Sequence, residues 1–502
     1  MTVSRELPGP QGPGSSCYAP RRLESSRALC YDTPMRRADE KKSIFDFSLL
    51  PAVLALAGPT MLEQLIQTAV QYIDTAMVGS LGTAATAAVG STVTVNWLIG
   101  STVAAFGIGF LAQISQAFGA GEEERARRAA AQSVLAALVL GTLFTALTLS
   151  LSARVPAWMQ VAPSLRAEAA RYFFILYLPM LPRTALILFG TVLRAAGDTK
   201  TPMRIGLRLN VLNVVLNFLL IYDTRGVVLL GRSVTIPGAG WGVAGAAAAS
   251  AIAFLYGGLA VTHALLRHER VSPRGFSIAP EGSVLRPCLR VAFPNMLQRF
   301  GTSLGYVAFA AMINALGETA TAAHTIANTV ESAFYIPGFG MMSAAATLTG
   351  NAVGARDERR RRGTARLIFL CEIAMMLVSG ALLFAFAPQM VRLFSRDAAV
   401  ILLGSTVLRM VALSEPFYGV SIVIEGMLQG AGQTVRPLIF NLCGMWGVRI
   451  AGTFVCTRLL GMGLVAAWGC MIAHNLLLFA LYLGCYLRGR WLPEGMRRER
   501  SG

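Results

Sequence analysis

Glu63, Gln67, Gln71 and Asp74 stand at i, i+4, i+8 and i+11 of one apolar stretch, PTMLEQLIQTAVQYIDTAMVG. At about 100° per residue, these four side chains occupy one narrow sector of a helix. An acid at the centre of a membrane helix costs about 2.5–3.5 kcal/mol on insertion scales, so such a stripe is expected to line a cavity rather than face lipid. The plainer alternative is interhelical hydrogen bonding that only fixes packing. Asp74 is the candidate for cation handling. Glu63, nearer the helix centre, is expected to be protonated or paired.

Two further faces carry the same kind of chemistry. Asn210, Asn213 and Asn217 recur at i, i+3 and i+7. Their carbonyl oxygens can coordinate a cation, or their amides can hold helices together. His324, Asn328 and Glu331 recur at i, i+4 and i+7. An imidazole that titrates near neutrality beside an acid suits proton handling, whereas a lone structural histidine is the commoner case. Gln67, Gln71 and Asn328 join Glu63, His324 and Glu331 as candidates to line a substrate cavity. Arg183, Glu372, Glu415, Glu425 and Arg449 also fall inside apolar runs. Arg183 and Glu415 occupy corresponding runs, so each half could hold a compensated pair.

The elements that must position these residues are membrane helices. Of 502 residues, 54% are hydrophobic and 14% charged, and mean hydropathy is +0.56. Soluble proteins carry roughly 25% charged residues. About 20 apolar residues span a bilayer, and twelve such runs occur, at 49–79, 85–118, 129–152, 167–193, 203–222 and 239–266, then at 284–314, 319–354, 364–391, 399–430, 436–458 and 463–487. The fold class expected is an all-α polytopic membrane protein with twelve transmembrane helices in two pseudo-symmetric six-helix bundles. Pro179, Pro182, Pro337 and Pro416 mark bends, either hinges or static kinks.

The two sets of six are copies. LGTAATAA at 81–88 returns as LGETATAA at 316–323, and LRAAGDTKTP at 193–202 returns as LQGAGQTVRP at 428–437, both at an offset of 235 residues. Small residues in the first phrase are expected to let helices approach closely. The expected organisation is a Pro/Gly-rich basic tail at 1–43, read as disordered, a bundle at 44–267, a linker at 268–283, a bundle at 284–490 and a basic tail at 491–502. Met35, which opens MRRADEKKSIF, is a candidate alternative start.

The net charge of +18 follows topology rather than nucleic-acid binding. Arg125, Arg127, Arg128, Arg356 and Arg359 to Arg362 alternate with nearly bare connections at 79–84 and 314–319. Basic loops mark the cytoplasmic side, which puts both termini there. Eight scattered cysteines with no CxxC pair suggest neither disulfides nor a metal site. No GxxxxGK[ST], HExxH or GxSxG occurs, so an ATP-driven pump and an intramembrane hydrolase are disfavoured. The expectation is a non-enzymatic carrier that works without a cofactor, as a monomer, on a small organic molecule in a lipid bilayer.

PTMLEQLIQTAVQYIDTAMVGSLG, AFGIGFLAQISQAFGAG, LRAAGDTKTPM, AHTIANTVESAFYIPGFG and LQGAGQT, taken in order over about 45 to 487, resemble the multidrug and toxic compound extrusion (MATE) family. The resemblance implies a V-shaped twelve-helix inner-membrane antiporter that moves H⁺ or Na⁺ inward and an organic, often cationic and amphipathic, drug outward. It implies that Asp74, in YIDT, couples to the cation with Asn213, Asn217 and Ser250 around it, transient Na⁺ at Asp74 included. Some members have Asp at the position of Asn217, Glu at that of Thr302 and Asp at that of Tyr418, so those elements of the family pattern are missing here. The alternative is a flippase for a lipid-linked precursor within the wider superfamily, which would carry a basic cavity.

Overall fold

The computed structural model describes residues 46–159, 161–229, 232–489, 491–492 and 496, which belong to one compact unit. The expected tail at 1–43, with Met35, and the arginines at 497, 498 and 500 lie outside the described residues. The first half contains α1 (Leu50–Gly79), α2 (Thr83–Gly119), α3 (Glu123–Leu151), the short α4 (Val155–Trp158), α5 (Arg166–Tyr177), α6 (Met180–Ala195), α7 (Lys200–Ile221) and α8 (Gly242–Arg267). The second contains α9 (Gly282–Asn314), α10 (Glu318–Gly354), α11 (Glu358–Arg392), α12 (Ala398–Ala412), α13 (Glu415–Gly430), α14 (Val435–Leu442), α15 (Ala451–Phe454) and α16 (Leu464–Arg488).

Eight of the described helical segments are long and apolar enough to cross a membrane, and two bent pairs bring the number to ten. The bent pairs are α5 with α6, at 50°, and α12 with α13, at 55°. They break beside Pro179 and Pro416, where proline removes a backbone donor. Pro337, by contrast, sits inside an unbroken α10. The remaining two of the twelve expected spans, α9 and α10, are 33 and 37 residues long but less apolar. α10 packs against α1 and α2 of the first half, and α9 against α2.

Sequence periodicity misplaced some ends. Residues 123–128 and 358–363 read as charged loops but are the first turns of α3 and α11. Intrahelical pairs explain this: Arg128 Nη2 lies 2.6 Å from Glu124 Oε1, and Arg361 Nε lies 2.6 Å from Glu358 Oε2. Asp357 caps α11 by accepting from the Arg360 amide at 2.8 Å. The start of the expected basic tail is also packed: Trp491, Leu492 and Met496 are buried, with Trp491 stacked on Tyr486 and under Arg361. An antiparallel hairpin, β1 (Asp223–Leu229) and β2 (Arg232–Ala239), joins α7 to α8. It lies in the connection between the expected apolar runs 203–222 and 239–266. After α14 the backbone widens into π turns at Cys443–Ile450 and Val455–Leu459.

The repeat is visible in backbone angles. Gly82 and Gly317, which cap α2 and α10, have φ 112° and 104°. Gly197 and Gly432, in AAGDT and GAGQT, have φ 90° and 77°. These are left-handed conformations that glycine adopts without steric cost. Nothing lies within 4 Å of a Cβ placed on Gly82 or Gly317, so close approach is not the role of these two glycines, although the alanines after them, Ala85, Ala88, Ala320 and Ala323, are buried. Close approach occurs at the other, arginine-rich end of the helices. There a Cβ on Gly119 would collide with the Asn351 carbonyl, and one on Gly354 with the Gln116 carbonyl. Gln116 Nε2 also donates to Gly430 O at 2.9 Å, and Thr60 Oγ1 to Gly340 O at 3.0 Å.

Gly354→Leu is expected to destabilise the protein by about 1–3 kcal/mol through overpacking. Gly58→Ala, in α1 where a Cβ meets nothing within 4 Å, is expected to be neutral or to stabilise by up to about 1 kcal/mol. Thermal unfolding of the detergent-purified variants checks the contrast; equal midpoints would contradict a tight seam between the halves.

Candidate functional site

Asp74 lies five residues before the end of α1, on the polar stripe anticipated from spacing. α1 packs along α7, and α7 along α8, which brings three helices to one point. Asn217 Nδ2 donates to Asp74 Oδ1 at 2.6 Å and to Asn213 Oδ1 at 3.2 Å; Asn213 Nδ2 donates to Ser250 Oγ at 3.2 Å. Turning the Asn213 amide over satisfies more groups. Its nitrogen then donates to Asp74 Oδ1 at 2.9 Å and Oδ2 at 3.0 Å, and its oxygen accepts from Ser250 Oγ at 3.2 Å. The geometry therefore joins Asp74, Asn213, Asn217 and Ser250.

The electrostatics follow from the partners. Asn213 and Asn217 are buried, and Asp74 is partly buried. Among the described residues Asp74 forms no ion pair, so only neutral dipoles face the carboxylate. Asn217 Oδ1 is buried without a partner. An amide can present nitrogen to an anion or, turned over, oxygen to a cation within the same volume. These residues thus suit a carboxylate that alternately carries and releases a small cation.

The other candidates separate. Glu63 is paired: Arg194 Nη1 lies 3.4 Å from Glu63 Oε2, while Arg194 Nη2 donates to Thr191 Oγ1 at 3.1 Å. Arg194 read as a loop residue but ends α6. Gln67 and Gln71 are exposed along the same face of α1. Tyr72 OH, one residue on, donates to Thr329 O of α10 at 3.0 Å, beside the exposed Asn328. His324 is not brought to Glu331. Trp468 Nε1 donates to His324 Nδ1 at 3.2 Å, and Phe309 and Trp468 pack edge-on around the imidazole. This is the packed histidine, not the proton-handling pair. Glu331 is buried instead within electrostatic reach of Arg449 and Glu415. Among the described residues Arg183 has no carboxylate partner; its guanidinium lies 4.5 Å from the Phe254 ring centre and 5.7 Å from that of Tyr177.

The two halves differ at the level of Asp74. Its counterpart at an offset of 235 is Phe309, and the guanidinium of Arg449 stands 4.1 Å from the centre of that ring. A fixed cation over an aromatic face therefore takes the place of the acid. Arg449 was visible in the sequence as an isolated charge; its partner was not, because cation–π contacts leave no spacing signature.

Comparison with known proteins fits this geometry. The MatE family model matches residues 59–219 and again 294–455, two segments separated by the offset of the internal repeat. The chain belongs to the MatE family. It is accordingly a membrane transporter, not an enzyme. A probable multidrug resistance protein NorM of Thermotoga maritima is 28% identical over 89% of this chain and 94% of its own length. The multidrug resistance protein PmpM of Pseudomonas aeruginosa is 25% identical over 80% of this chain and 82% of its own. Among solved structures, a multidrug resistance MATE transporter of the MOP superfamily in an outward-facing conformation superposes with a TM-score of 0.79 at 23% identity, covering 87% of this chain and 95% of that one. In this MatE chain both family segments hold the polar helices, α1 with α7 and α9 with α14.

The Glu63–Arg194 pair generates a stability prediction. Arg194→Met strands a carboxylate inside the bundle and is expected to cost about 3 kcal/mol, the lower end for a broken buried pair, because both side chains retain some exposure. Adding Glu63→Gln should recover most of the loss. Thermal unfolding midpoints of the two singles and the double check this; additive losses would mean that the residues act independently.

Proposed function

We propose that this MatE protein is a secondary active antiporter that exports organic, often cationic and amphipathic, compounds in exchange for H⁺ or Na⁺. The observation that carries the reading is an anionic group inside the helix bundle, Asp74, met only by the neutral donors Asn217 and Asn213. A carboxylate in that position requires a counter-charge. A proton or Na⁺ supplies it in one step of the cycle, and a cationic drug within reach of the same charge competes for it. Asn213, Asn217 and Ser250 turn between donor and ligand as the cation leaves or arrives. The names of the NorM and PmpM relatives support export of drugs.

The remaining geometry supplies a route. The halves, 44–267 and 284–490 joined by the linker 268–283, act as the two lobes of an alternating-access carrier that works as a monomer in the inner or plasma membrane. With the arginine-rich end cytoplasmic, as are both termini, the seam at Gly119 and Gly354 closes the inner side, and Gln67, Gln71 and Asn328 face a substrate path that opens outward. A ligand moves the equilibrium between inward and outward states only by its differential affinity for them. Competition at Asp74 provides that difference.

Ethidium efflux from an efflux-deficient bacterium expressing the chain, at two pH values with and without Na⁺, tests the proposal. Wild-type efflux should follow one of the two ions, and Asp74→Asn should reduce it to the empty-vector level with the protein still in the membrane. Efflux by Asp74→Asn at the wild-type rate would remove Asp74 from the mechanism.

A further inference from the structure

The eight cysteines look unrelated in the sequence, yet the fold brings two of them together. Cys456 lies in the π turn Val455–Leu459 and Cys470 in the second turn of α16, and their Sγ atoms are 3.8 Å apart. They stand 14 residues apart in the chain, so no CxxC spacing marks them. Both thiols are free and partly exposed. Neither belongs to the polar group around Asp74 or to the Glu63–Arg194 pair.

The backbone on each side holds the pair in register. The Val455 carbonyl accepts from the Leu460 amide at 3.0 Å, the i to i+5 bond of a π turn, and the Cys456 carbonyl accepts from the Met462 amide at 2.8 Å. These bonds fix the turn that carries Cys456. Gly452, four residues before Cys456, leaves the space into which the other thiol projects. A Cβ there would lie 3.1 Å from Cys470 Sγ and 3.6 Å from Cys470 Cβ. The gap between the thiols narrows to the roughly 2.05 Å of a disulfide through rotation about the two Cα–Cβ bonds.

The pair is remote from the arginine-rich seam. The connection 431–434 that leads into α14 adjoins the seam at Gln116 and Gly430, and the chain then runs away from it to the turn at 459–463, beside the two cysteines. With the arginine-rich end cytoplasmic, as proposed above, they lie on the oxidising side of the membrane, where disulfides persist. Only the compartment rests on that orientation; the bond does not.

We propose that Cys456 and Cys470 form a dithiol–disulfide couple, closed by exchange with a low-molecular-weight disulfide, that ties the π turn to α16. One cysteine thiolate attacks the disulfide reagent, forming a mixed disulfide and releasing one thiolate of the reagent. The second cysteine thiolate attacks the protein sulfur of that mixed disulfide and releases the other. Each cysteine gives up one proton, the protein loses two electrons, and the reagent is reduced to two thiols.

The test is peptide mapping of the purified full-length protein after incubation with oxidised glutathione and alkylation of the remaining thiols under denaturing conditions. Tryptic peptides 450–458 and 459–488 should be recovered joined, with fragment ions placing the bond on Cys470 rather than Cys485. A phosphine reductant should separate them, and Cys456→Ser should abolish the joined pair. Recovery of Cys456 and Cys470 as alkylated or singly glutathionylated residues from the oxidised, folded wild type would overturn the proposal. So would a bond from either of them to a different cysteine. Failure of the transport reading appears elsewhere, as efflux that survives Asp74→Asn, and leaves this bond in place.

Discussion

A carboxylate inside a helix bundle solvated by lipid has to be met by a proton, a fixed cation, a mobile cation or converging dipoles, because isolated charge in low dielectric is prohibitively costly. This constraint organises the chain. Glu63 is met by Arg194 at 3.4 Å, and Asp74 by the amides of Asn217 and Asn213. Glu425 is met by four neutral donors. Where a positive charge is fixed, as with Arg449 over Phe309, no carboxylate replaces the ring. Of these acids, Asp74 and Glu425 form no ion pair among the described residues.

The duplicated fold distributes these roles. At the level of Asp74 the first half holds the acid and the second the arginine; at the level of Glu63 the arrangement reverses, with Arg194 in the first half and Gln429 at the matching position of the second. The backbone is conserved between the copies even where the charges are not. Matching left-handed glycines cap α2 and α10, and both halves bend by 50° or 55° beside a proline. Bulk-free contacts at Gly119 and Gly354 bring the copies together at the arginine-rich end. The shared frame thus carries divergent polar contents.

Much of this was legible in the sequence. The helical class, the repeat, the polar stripe of α1 and the grouping of Asp74 with Asn213, Asn217 and Ser250 all followed from periodicity or from the family resemblance. Partners were not legible, since spacing along one helix does not say which neighbour faces it: Arg194 was taken for a loop residue, and Phe309 and Trp468 claimed His324. Helix ends were missed where i,i+3 and i,i+4 Glu–Arg pairs made charged segments helical. The π turns left no trace because they lie within an apolar run, and the β-hairpin falls in a connection between two such runs.

The central claim is that one carboxylate serves both the coupling cation and a cationic drug. The most direct measurement is binding of a fluorescent organic cation to the purified protein, followed by polarisation as pH is lowered or Na⁺ is added at constant ionic strength. The account predicts that one of these ions raises the apparent Kd of the drug in proportion to its concentration. A drug affinity indifferent to both ions would contradict it.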